Sequence, residues 1–166
     1  FHFLNPALQK AIKKGSKVSS ATKLFFDYAK KKHPAKIIGV TGTKGKGTTS
    51  TLIYKILKAA GKKVFLAGNI GTPALDILKK IDRKTYVILE LSSFQLQDLH
   101  ASPEVAVVLE IFPDHQDAHK NLKEYFAAKS NIVLHQRNAD QVFFFGDQKQ
   151  SKAIGLLGLG KKNFSC

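Results

Sequence analysis

The sequence predicts an α/β fold: a doubly wound, mostly parallel sheet with helices on both faces. Three observations carry this. Five short apolar runs are separated by segments with helical spacing. The runs are continuously apolar, as strands buried on both faces are, rather than alternating. The first run also passes through a glycine-rich turn, VTGTKGKGTT at residues 40–49, straight into a helical segment. Repeated strand–helix units of this kind build a parallel sheet covered on two sides.

The elements follow in order. Residues 6–14 read as a short helix stopped by Gly15. Ser20 caps a second helix over 21–32, with Leu24, Phe25 and Tyr28 on one face, and His33-Pro34 ends it. Residues 36–40 form the first buried strand. The next helix spans 48–60, with Leu52, Ile56 and Leu57 apolar and Gly61 as its stop. Residues 64–67 are the second strand, and 73–80 a helix entered at Pro73. Residues 86–89 and 105–109 are the third and fourth strands. A longer helix covers 122–135. The fifth strand is 141–145, followed by a short helix near Ser151. Residues 1–35 are thus a helical lead-in, and 36–166 one central domain.

A chain of 166 residues, 43% hydrophobic, suits one compact domain. Its single cysteine, Cys166, excludes an internal disulfide framework and a cysteine-rich zinc site, and fits a reducing, cytoplasmic setting. No apolar run approaches the ~20 residues of a membrane span. The start, FHFLNPALQK, lacks a signal-peptide layout, and methionine is absent throughout, so the chain reads as a piece of something longer. The formal charge is +15, yet Arg83 and Arg137 are the only arginines. Base readout favours arginine, and no aromatic stacking motif interleaves with the lysines. A solvated basic surface is therefore expected, and nucleic acid is not an expected partner. A basic nucleotide- or nucleic-acid-binding module stays as the alternative from another class.

In such sheets ligands bind beyond the carboxyl ends of the strands. After the first strand come Gly42, Thr43, Lys44, Gly45, Lys46, Gly47, Thr48 and Thr49. The usual phosphate loop, G-x-x-x-x-G-K-[ST], is not met: Val40 stands at its first glycine and Gly47 at its hydroxyl. Small residues still let backbone N–H groups close around phosphate oxygens at a helix N-terminus. Lys46 would reach the outer phosphates, and Thr48 or Thr49 could offer a hydroxyl to Mg²⁺. After the second strand, GNIGTP places Asn69 between glycines, as a substrate contact or a helix cap.

After the third strand, ELSSFQL puts Glu90 where a metal-binding carboxylate sits near a phosphate loop. A buried carboxylate there requires a cation or a donor. Ser92 and Ser93 occupy the strand–helix turn, and the absence of G-x-S-x-G argues against a hydrolase nucleophile. After the fourth strand, EIFPDHQDAH gathers Asp114, His115, Asp117 and His119. Oxygen-rich sites beside phosphates favour Mg²⁺ over zinc. Lys129, in YFAAKSNI, is an ordinary helical lysine on the residues alone.

Together these motifs resemble the central ATPase domain of the Mur ligases. The order phosphate loop, GNIG, ELSSFQL, PDH and YxxAK is similar over about residues 36–132, and the resemblance fades beyond about Gly146. GNIGTPALDIL and ELSSFQL resemble the branch that joins D-glutamate to UDP-N-acetylmuramoyl-L-alanine. The resemblance implies ATP as the activating substrate, two Mg²⁺ ions and an acyl-phosphate intermediate in peptidoglycan precursor synthesis. It implies that Lys46 stabilises the γ-phosphate and that Thr48 and Glu90 serve the nucleotide-associated Mg²⁺. His115 would help hold the second Mg²⁺, with Asp114 shaping its shell. Lys129 matches the family's carbamylated lysine, while Asn69, Ser92 and Ser93 line the substrate end. The family also carries an N-terminal domain for the UDP end and a C-terminal domain for the amino acid, neither visible here, so little turnover is expected of these residues alone. One departure matters. GTKGKGTT, with Gly47 after the lysine, is more similar to the loop of folylpolyglutamate synthases, which stay as the alternative ligase.

Overall fold

The computed structural model describes residues 5–32, 35–113 and 121–165. Its centre is a six-stranded sheet, and every neighbouring pair of strands is parallel. The strands are β1 (Lys36–Thr41), β2 (Lys63–Gly68), β3 (Thr85–Glu90), β4 (Val105–Val108), β5 (Gln141–Phe145) and β6 (Lys161–Ser165), in the order β2-β3-β1-β4-β5-β6. The helices are α1 (Pro6–Lys13), α2 (Ala21–Lys32), α3 (Lys46–Ala59), α4 (Ser93–Leu96), α5 (Leu122–Leu134) and α6 (Lys149–Gly155), with a 3-10 segment at Ala74–Lys80. The chain leaves β1 toward β2 on one side and leaves β4 toward β5 on the other. The order therefore reverses between β1 and β4, and ligands in open α/β sheets bind at the carboxyl end of such a reversal.

The strands form because their apolar runs can be buried on both faces. One face carries Ile37, Val87, Leu89, Ala106, Val108, Val142 and Phe144 in the main core, together with Phe25 and Phe26 of α2 and Tyr125, Ile132 and Val133 of α5. The opposite face carries Val40, Ile38 and Ile88, covered by Ile53, Tyr54 and Leu57 of α3. Burial of a large apolar side chain stabilises by about 1.5–3 kcal/mol, so these two layers set the architecture. Asn5 caps α1 through Ala7 N–H, Ser20 accepts from Lys23 N–H at the start of α2, and Asn121 accepts from Glu124 N–H at the start of α5.

Several expectations need correction. A sixth strand exists: KKNFS is polar and lysine-rich, lacks an apolar run, and pairs as an edge, where lysines are common. On α2 the buried apolar residues are Phe25, as expected, with Phe26 and Ala29, while Leu24 and Tyr28 are exposed. On α3, Leu57 packs against the sheet as expected, joined by Ile53, while Leu52 and Ile56 are exposed. The segment after Pro73 is a 3-10 helix, with Pro73 just outside it. Among the described residues, no helix is long and apolar enough to cross a membrane.

Candidate functional site

The glycine-rich loop lies at the reversal between β1 and β4. Leu91 N–H bonds Val40 C=O on one side of β1, and Leu109 N–H bonds Thr41 C=O on the other. The chain then turns at Gly42, with φ +156. A Cβ there would lie 2.7 Å from Leu109 Cβ, so glycine is needed for close approach as well as for its dihedral. Gly45, at φ +77, is the residue before α3 and supplies no side-chain cap, and no acid lies in the first turn. The first amides of α3 and the positive end of its dipole are left for an anion.

Thr43 clips the loop to the segment after β4. Its amide donates to Glu110 C=O at 2.8 Å. Its hydroxyl accepts from Phe112 N–H at 2.9 Å, meets Phe112 C=O at 3.1 Å, and pairs with the Tyr125 hydroxyl at 2.9 Å. Two lysines then converge on neighbouring loop carbonyls. Lys46 Nζ donates to Thr43 C=O at 2.9 Å, and Lys129 Nζ donates to Gly42 C=O at 2.9 Å. Lys129 is 2% exposed, lies near Thr41 Oγ1 at 3.5 Å, and its ammonium stands 4.8 Å from the centre of the Tyr125 ring. Sequence reading alone does not single out Lys129. The structure brings it from α5 to the base of the loop.

Glu90 ends β3 beside the loop and is buried. Its Oε1 accepts from Asn69 Nδ2 at 3.3 Å, and its Oε2 has no partner among the described residues. A Cβ on Gly47 would stand 3.4 Å from that Oε2. The missing side chain at position 47 thus leaves room beside a buried carboxylate oxygen. An orphaned, buried carboxylate oxygen next to a glycine-rich loop at a helix N-terminus fits a divalent cation. Among the described residues no three His, Cys, Asp or Glu side chains gather. Asp114, His115, Asp117 and His119 lie outside the described residues.

The other expected residues take these places. Lys44 and Thr48 are exposed, and Thr49 is half-buried with its amide in the α3 ladder to Gly45 C=O. Asn69 does not cap the following segment; its side chain and its amide both turn to Glu90. The close approach is made by Gly68, where a Cβ would lie 2.4 Å from Glu90 C=O. Ser92 forms a capping box on α4 with Gln95, and Ser93 is buried in its first turn. Tyr125, which joins both Thr43 and Lys129, is not a site residue that the sequence singles out. Its spacing four residues before Lys129, on one helix face, was the available signal.

The profile of the Mur ligase middle domain matches residues 40–161, past the point where the motif resemblance fades. The chain is 46% identical over 156 residues to the UDP-N-acetylmuramoylalanine–D-glutamate ligase of Clostridium acetobutylicum, covering 91% of this chain and 33% of that enzyme. It thus spans about a third of that relative. Among solved structures, MurF ligase from Thermotoga maritima in complex with ADP superposes with a TM-score of 0.67 at 24% identity, over 90% of this chain and 37% of that one. FolC from E. coli, in complex with DHPP and ADP, superposes with a TM-score of 0.58 at 18% identity, over 90% of this chain and 48% of that one. The loop, the carboxylate and the buried lysine are held on a fold common to these proteins, and the chain belongs to the Mur ligase family, through that family's middle domain.

Proposed function

We propose that this chain is the ATP-binding core of a ligase that adds D-glutamate to UDP-N-acetylmuramoyl-L-alanine. The carrying observation is the convergence of Lys46, Lys129 and Glu90 Oε2, which has no partner among the described residues, around one phosphate-type loop. The donor and acceptor identities rest on the name of the clostridial relative, and the use of ATP is supported by the ADP in both structural neighbours. The folate-type reading keeps one supporting observation, the Gly47 loop together with the FolC likeness. The high identity to a muramyl-named enzyme outweighs it.

A carboxylate oxygen of the muramyl substrate attacks the γ-phosphorus of ATP, and ADP departs. The amine of D-glutamate then attacks the acyl carbon, and phosphate leaves with the carboxylate oxygen. Both reacting groups are anions, so the protein's task is to place and offset charge. The α3 amides bind the phosphate chain, and Lys46 leaves Thr43 C=O to meet the γ-phosphate. Glu90 and Thr48 would hold one Mg²⁺; His115 and a carbamylated Lys129 would hold a second, with Asp114 beside it. When bound, these ions screen the repulsion between carboxylate and phosphate. Asn69, with its side chain on Glu90, and Ser92 and Ser93 stand at the substrate end. A cytoplasmic location follows from the soluble nucleotide substrates.

The test is Mg-ATP binding by the Lys46→Ala variant. Losing a charged hydrogen bond costs about 1.5–3 kcal/mol, so affinity should fall roughly 10- to 150-fold. Unchanged affinity would overturn the assignment of the loop.

A further inference from the structure

The amino ends of the strands carry a second concentration of charge, at the opposite end of the sheet from the glycine-rich loop. Lys36 opens β1, Lys62 and Lys63 lead into β2, and Arg83 and Lys84 lead into β3. Register pairs Lys36 with Tyr86 and Lys63 with Thr85, so these two lysines flank β3 with Cα atoms roughly 10 Å apart. The five cations line an open cavity of about 520 Å³. Their mounts are rigid. Gly61, at φ +69, ends α3 with its N–H on Lys58 C=O and the Lys62 N–H on Leu57 C=O. Thr85 N–H donates to Asp82 C=O at 3.0 Å, and the Asp82 carboxylate takes the Lys84 N–H and the Thr85 hydroxyl, each at 2.9 Å. Among the described residues Asp82 is the only acid lining the cavity, and Lys63 Nζ already holds it at 2.6 Å. Glu104, beside the start of β1, directs its Oε2 to the Ile37 N–H at 2.9 Å. Lys36, Lys62, Arg83 and Lys84 have no carboxylate partner among the described residues. Arg137, the other arginine, has Asp140 at 3.8 Å.

We propose that this cavity binds a phosphate-rich anion, a di- or triphosphate group, at a site separate from the glycine-rich loop. Lysines scattered over a convex surface diverge into solvent, whereas these converge on one volume of the size of small-ligand pockets, about 300–1,000 Å³. Like charges held together on rigid turns repel, and a bound anion removes that cost. A chain of phosphates brings several negative charges into the span between Lys36 and Lys63, which a single carboxylate does not. Lysine meets phosphate as a point charge, and Arg83 adds a planar fork for two oxygens. The concave shape selects a compact anion over a flat anionic membrane. Lys36 and Thr41 bound β1, so the cavity lies roughly 16 Å along the strand from the glycine-rich loop. An anion held here therefore leaves the loop open to ATP. The inference is independent of the ligase reading, since none of these residues belongs to that site.

The test is isothermal titration of the intact protein with tripolyphosphate at about 0.15 M salt, in a Lys46→Ala background that weakens the glycine-rich loop. Adding Lys62→Ala, Arg83→Ala and Lys84→Ala together should weaken binding at least about tenfold. Adding Lys10→Ala, Lys13→Ala and Lys14→Ala instead removes the same charge from exposed positions on α1 and its C-cap, and should leave the affinity within about twofold. Unchanged affinity in the cavity variant overturns the proposal. So does an equal loss in the α1 variant, which would reduce the binding to net charge. Absence of tripolyphosphate binding overturns it too, and cavity-dependent capture by phosphatidylglycerol vesicles would then make a membrane surface the partner. If the triple cavity variant fails to fold, Arg83→Ala alone decides, with an expected loss of about threefold or more.

Discussion

Glu90→Gln sets stability against function at a single atom. Glu90 is 4% exposed, its Oε1 meets Asn69 at 3.3 Å, and its Oε2 has no partner among the described residues. A buried polar group left unsatisfied costs about 1–3 kcal/mol, and more when it is charged. Glutamine keeps the shape and the Asn69 contact while removing the charge, but its own amide hydrogens then need acceptors. The net expectation is a ligand-free fold more stable by about 1–2 kcal/mol, and a chain of this size gains about 2–4 °C in Tm per kcal/mol. Mg-ATP should act in the opposite sense. At a hundred times its Kd a ligand stabilises the native state by about 2.7 kcal/mol, and the variant should lose most of that increment. Thermal melts followed by circular dichroism, with and without Mg-ATP, measure both. A variant that is less stable without ligand by 1 kcal/mol or more, or that responds to Mg-ATP as the parent does, would refute the reasoning.

Thr43→Val and Tyr125→Phe share the 2.9 Å hydroxyl pair. Urea melts should show the double variant less destabilised than the sum of the singles by about 1 kcal/mol, and strict additivity would mean that the pair is not formed. Gly68→Ala drives a Cβ to 2.4 Å from Glu90 C=O at φ +104, whereas Gly61→Ala, at φ +69, meets nothing within 4 Å. The first should cost about 3 kcal/mol or more and weaken Mg-ATP binding, the second about 1 kcal/mol with binding intact. Asp82 is held at a pKa of about 2, below its ordinary 3.8, first by Lys63, at 2.6 Å, then by Thr85 and the Lys84 amide. A lowered carboxylate pKa contributes stability that is present above 3.8 and is lost as pH falls toward 2. Acid titration of Asp82→Asn should lack that segment of the parent's stability curve.

Much of the fold is legible because burial on both faces leaves a mark in single strands. YVIL and the run after Lys36 need no context to be read as central strands. Strand β6 leaves no such mark, since its polar residues pair only because α6 delivers them to an open edge. The faces of α2 and α3 are only partly legible for a related reason, with Phe25 and Leu57 inward as expected and Leu24, Tyr28, Leu52 and Ile56 exposed. Leu24-Phe25-Phe26, and Leu52-Ile53 with Ile56-Leu57, offer two adjacent apolar rows, and helical spacing does not say which one meets the sheet. At the site, the loop itself was readable from its glycines and lysine. The role of Gly47 was not, because it depends on Glu90 arriving from another strand. Asn69 likewise chose the carboxylate over a helix cap. The Thr43–Tyr125–Lys129 network needs β1, β4 and α5 to meet at one point, which no local pattern encodes.

The most direct measurement of the central proposal follows oxygen. The intact protein is given Mg-ATP, D-glutamate and UDP-N-acetylmuramoyl-L-alanine labelled with ¹⁸O in its carboxylate, and the released phosphate is weighed by mass spectrometry. Activation through an acyl phosphate predicts one labelled oxygen transferred to each phosphate formed with product. Product accompanied by unlabelled phosphate would contradict it.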